Sequence, residues 1–105
     1  MPDDHNMPEG LEKPVSTKRA EILNTAREYV TKDREATHGA PEQSFGMIAA
    51  VWSVRLGVTV TPAQVCLLMA DLKICRAWSN PTVTDNWVDL AGYAACGGEM
   101  ASVRK

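Results

Sequence analysis

Lys73 and Arg76 stand three residues apart, and Asp85, Asp89 and Tyr93 follow at intervals of four. On helices those spacings gather the two bases on one patch and the two acids and the phenol on another. Asn86 adds an amide beside the acids. Two bases suit a phosphate, the arginine as a fork of donors and the lysine as a point charge. Acids and an amide suit ribose hydroxyls or base edges, and an aromatic ring suits stacking. The same residues also suit an ionic lock between two helices, with Arg76 against Asp85 or Asp89. Charge among core-forming residues is costly unless it is paired or used, so a polar site or a buried lock belongs here. Both readings stand open on spacing alone.

A second cluster lies in a connector, where Asp33-Arg34 precedes His38-Gly39-Ala40-Pro41. Connectors carry function more often than the elements they join, and the same residues also serve turn and cap chemistry. Arg34 is a further phosphate contact in the ligand reading, and His38 a base or ligand contact. Trp52, Trp78 and Trp87 read first as core anchors, with Trp52 or Tyr93 as the flat surface of a pocket. A magnesium-dependent reaction on a phosphate needs several convergent carboxylates. The candidates are Glu28, Asp33, Asp85 and Asp89. A glycine-rich phosphate loop, a nucleophile elbow and a zinc-type His/Cys set are all missing from the sequence.

The elements that must position these groups read as helices. Ser16 or Thr17 can cap a first helix to about Thr31, with a stripe of Ile22, Leu23, Ala26, Tyr29 and Val30. Pro41 opens a second, carrying Phe45, Ile48, Ala49, Trp52 and Leu56, and Gly57 suits the left-handed position past its end. Thr61-Pro62 opens a third, with Val65, Leu68, Met69, Leu72, Cys75 and Trp78. It is apolar over most of its surface, as in a helix central to a bundle or buried in an oligomer. Ser79-Asn80-Pro81 ends it, and Thr84 or Asp85 caps a fourth to about Ser102, carrying Trp87, Leu90, Ala91, Ala94 and Ala95. The short link makes the last two helices antiparallel. Gly92, Gly97 and Gly98 weaken that helix and invite a close backbone approach.

The chain has 105 residues, a net charge of −2 and 45% apolar residues, which is an ordinary globular composition with room for one core. Residues 1–15 form an acidic arm with prolines at 2, 8 and 14, expected to be extended; residues 16–105 form one helical domain. The arm holds four of the thirteen acids, leaving a nearly neutral body. That balance argues against broad nucleic-acid binding. No run is long enough for a membrane span, and the acidic start fits no targeting peptide, so the expected place is a cytoplasm. Cys66, Cys75 and Cys96 have neither disulfide nor zinc spacing and read as small buried thiols. The expected fold is all-α, a compact four-helix arrangement that forms a homo-oligomer.

At these residues the chain resembles a family of small tailed-phage proteins. The resemblance covers about residues 20–100. It runs through Asp33-Arg34, His38-Gly39-Ala40-Pro41, Ile48-Ala49, Trp52-Ser53, Leu56-Gly57, Thr61-Pro62, Val65, Met69 and Lys73…Arg76. It continues through Asp85-Asn86-Trp87-Val88-Asp89 and Gly92-Tyr93-Ala94. His38 stands where the family pattern carries a tyrosine. More distantly the order of bases, acids and phenol is similar to MazG-type all-α nucleotide pyrophosphohydrolases. That likeness implies a helical oligomer with a nucleotide pocket between helices and subunits, and Mg²⁺ if the chemistry is retained. The MazG-type pair Glu-x-x-Glu occurs here as Glu9…Glu12 in the arm, and Asp85…Asp89 replaces the second acidic element. The expectation is therefore a phage accessory protein that binds a nucleotide-like ligand, such as a host signalling nucleotide, and needs no cofactor. The alternatives are a magnesium-dependent nucleoside triphosphate pyrophosphohydrolase and a protein-interaction module without catalysis.

Overall fold

A computed structural model describes residues 17–33 and 41–103. Four α-helices account for most of them: α1 (Lys18–Glu28), α2 (Pro41–Leu56), α3 (Pro62–Ser79) and α4 (Thr84–Val103). α1 runs on into a π-helical turn, Tyr29–Asp33. There is no strand among the described residues, so the alternating Val58–Thr61 segment is a connector. The arm, Arg34 and His38 lie outside the described residues.

The helix starts follow from side-chain chemistry. The Thr17 hydroxyl accepts the Ala20 amide at 3.1 Å. At α3 the Thr61 hydroxyl accepts the Gln64 amide (3.1 Å), while the Gln64 side chain accepts the Thr61 amide (2.9 Å). This reciprocal pair satisfies two otherwise orphan donors, and Pro62 occupies the first turn, where a missing N–H loses nothing. α2 ends at Gly57, whose φ of +73° is the left-handed value that glycine adopts without strain. Ser53 then ties the connector back: its hydroxyl reaches the Ala49 carbonyl (2.7 Å) and accepts the Val60 amide (2.8 Å).

α3 and α4 make the most extensive pairing, with α1 against α4 and α2 against α3. The core joins Phe45 and Ala49 of α2, Val65 and Cys66 of α3, and Cys96 and Met100 of α4. Trp52, Ile48, Met69 and Tyr93 pack on it half-buried. At Gly97 a Cβ would come within 3.0 Å of the Cys66 Cβ, so the backbone approach of α4 to α3 depends on hydrogen at that position.

Several expected core positions face outward. Leu23, Leu56, Leu68, Leu72, Trp78 and Trp87 are exposed. On α4 the buried row is Val88, Gly92, Cys96 and Met100, not Leu90, Ala91, Ala94 and Ala95. On α3 the expected Val65 is buried, with Cys66 and Ala77 beside it, and Cys75 is exposed rather than buried. Both helices are apolar nearly all round, so apolar spacing alone did not fix which face turns inward.

Candidate functional site

The link 80–83 sets the register of α3 on α4. The Asn80 amide closes α3 on the Arg76 carbonyl (3.0 Å), and the Asn86 amide reaches the Val83 carbonyl (3.2 Å). The Trp87 indole N–H donates to the Pro81 carbonyl (2.9 Å), fastening α4 to the link. Lys73 lies six residues before the end of α3 and Asp89 five after the start of α4. At about 1.5 Å per residue the two antiparallel positions are level.

Lys73 Nζ meets Asp89 Oδ2 at 3.0 Å, with side chains 13% and 30% exposed. This is the ionic contact between α3 and α4, and it replaces the expected Arg76–Asp89 lock. The reason is angular. Lys73 precedes the buried Ala77 by four residues and shares its face, whereas Arg76 is about 100° round the helix from Ala77. Arg76 is exposed and makes no ion pair among the described residues.

Beneath the pair is a hollow of about 20 Å³, lined in part by Tyr29, Val30, Asp89, Gly92 and Tyr93. That volume admits a water molecule and nothing larger. Tyr93 packs its ring edge-on against Phe45, with centroids 6.2 Å apart. A ligand at this seam would therefore meet the outer side of the Lys73–Asp89 pair, where an Asp89 oxygen and two ammonium protons remain free of each other.

Of the residues singled out from sequence, Lys73, Asp89 and Tyr93 come together at the seam. Asp85 is exposed, Asn86 is buried, and Trp52 belongs to the core. The structure leaves Arg34 and His38 outside its described residues. Among the carboxylates named for magnesium, Glu28 pairs with Lys32 on the surface (3.5 Å) and Asp89 with Lys73. Among the described residues no group of three His, Cys, Asp or Glu side chains converges as a metal site would require. Tyr29 and Val30 were read as core, and nothing in their residue types signals the π turn that brings them to the Asp89 hollow.

The family described as a domain of unknown function, DUF6378, matches residues 21–101. The chain is 38% identical over 74 residues to the "Gene 55 protein" of Mycobacterium phage L5, covering 70% of this chain and 47% of the relative. It is 32% identical over 75 residues to the "Gene 55 protein" of Mycobacterium phage D29, covering 71% and 50%. The chain thus spans about half the length of the curated relatives it matches. No solved structure matches it. No described helix is long and apolar enough to cross a membrane.

Proposed function

For a chain that belongs to the DUF6378 family and is similar to phage proteins, we propose a phage accessory role: holding a nucleotide-like ligand at the α3–α4 seam. The observation that supports it is the half-buried Lys73–Asp89 pair at 3.0 Å, with Arg76 unpaired one turn further along α3. Lys73 and Arg76 take the phosphate, and Asp89, with Asp85 one turn before it, accepts hydroxyl donors of the sugar. Binding without turnover, as in sequestering a host signalling nucleotide, fits a seam with one central carboxylate better than the pyrophosphohydrolase alternative does.

The 3.0 Å pair equally supports a second reading, in which Lys73–Asp89 only fixes helix pairing. Calorimetry separates the two, using a panel of nucleoside triphosphates, cyclic dinucleotides and ADP-ribose derivatives. Under the ligand reading one class binds. Arg76→Ala then weakens it about 10- to 100-fold, as loss of a charge-assisted hydrogen bond of about 1.5–3 kcal/mol implies, and leaves the melting temperature unchanged. No binding across the panel, with a lowered melting temperature for Asp89→Ala, would leave only the lock.

A further inference from the structure

The outward face of α3 is largely apolar, interrupted by Gln64 and Asp71. Leu67, Leu68, Leu72, Ile74 and Trp78 are all exposed, Leu67 at 63% and Trp78 at 87%. Of these, Leu67, Leu68, Ile74 and Trp78 lie away from the inward arc set by Val65, Cys66 and Ala77, whereas Leu72, seven residues after Val65, stands within about 20° of it. Monomeric proteins rarely leave so many large apolar side chains grouped in water.

The strip has a different feature at each end. Near the start of α3, Leu67 and Leu68 join Val58, Val60 and Gln64 around an open groove of about 310 Å³. Near its end the Trp78 indole stands out beside a second apolar groove of about 300 Å³, which Ile74, Pro81 and Trp87 share. Leu67 and Trp78 are eleven residues apart, roughly 16 Å along the helix. A receiving groove and a projecting ring on one face, at opposite ends of one straight helix, are what a two-fold pairing of identical surfaces requires.

We propose that this face joins two copies of the chain. The two α3 helices run antiparallel about an axis that crosses the outward face at the level of residues 72 and 73, and Trp78 of each copy enters the Val58–Leu68 groove of the other. The exposed fractions of Val58, Leu67, Leu68, Ile74, Trp78 and Trp87 amount to at most roughly 700 Å² per copy, near the ~800 Å² that a standard interface takes from each partner. Asp71 is the charged residue on the strip. In the two-fold pair the two Asp71 carboxylates lie near the axis and repel. A foreign partner fitted to the same strip would instead offer a base to Asp71. The pairing does not depend on the ligand reading, because Lys73 and Asp89 lie on the inward side of α3.

Sedimentation velocity of the full chain over about 1–100 µM tests this, with circular dichroism to confirm that each variant is folded. The wild type is expected to pass from monomer to dimer with a blue shift of tryptophan emission. Leu67→Glu and Trp78→Ser each abolish the dimer with helicity retained; should Leu67→Glu lose helicity, Trp78→Ser, at a residue that supports no core, decides alone. Asp71→Asn tightens association, by roughly three- to tenfold. A wild type that stays monomeric throughout overturns the proposal, as does a dimer indifferent to Trp78→Ser. Weakened association in Asp71→Asn also overturns it.

Discussion

Cys66 is 1% exposed, and burial first, then the neighbouring Cys96, push its thiol from 9.0 up to about 11. Between those values the folded chain keeps a proton that the unfolded chain has released. Stability is therefore fully present below about pH 9 and falls as pH rises towards 11, by about 1 kcal/mol per pH unit at the steepest. Denaturant midpoints measured across that range should drop more steeply for the wild type than for Cys66→Ala. The seam shows the same sensitivity to small angular differences. Lys73 and Arg76 are equivalent as letters in a basic pair, yet the inward face of α3 takes the first and leaves the second in water. Sequence identified the participants, Lys73, Asp89 and Tyr93. For the lock it pointed to Arg76, and the structure puts Lys73 there instead, because that choice depends on the phase of α3 relative to Ala77.

At the scale of the helix, Gly97 and Gly98 make a controlled pair. A Cβ at Gly97 meets the Cys66 Cβ at 3.0 Å, a neighbour with no rotamer to yield, while a Cβ at Gly98 meets nothing within 4 Å. Gly98→Ala should raise stability by about 0.5–1 kcal/mol through helix propensity. Gly97→Ala should lower it by about 1–3 kcal/mol, since overpacking outweighs the same propensity gain. Thermal melts of the two variants should move in opposite directions. Helix ends were readable from sequence because caps are local: Thr17, Gly57, Thr61-Pro62 and Asn80-Pro81 each act within a few residues. Helix faces were less readable. Val88, Gly92, Cys96 and Met100 became the inward row of α4 through contacts with α1 and α3, which no window on α4 alone contains.

For the molecule as a whole, the buried apolar set is small. It has few large side chains besides Phe45, Val65, Val88 and Met100, whereas many large apolar residues stay exposed. A chain of this size gains little from its own core, and association of α3 faces would add to it. The melting temperature should then rise with protein concentration, by roughly 3–6 °C per tenfold increase, and Trp78→Ser should flatten that dependence. The Lys73–Asp89 seam and the α3 strip lie on different sides of one helix, so the proposed assembly would leave the proposed ligand seam uncovered.

The wider turn at Tyr29–Asp33 carries a further meaning. A π turn accommodates one surplus residue relative to the regular ladder. Deleting a single residue there would restore an ordinary helix and turn the residues at the end of the segment by about 100° relative to α1. What this segment encodes is a length more than a spelling: substitutions can be absorbed, but a change of one in the residue count would re-aim the side chains that close it.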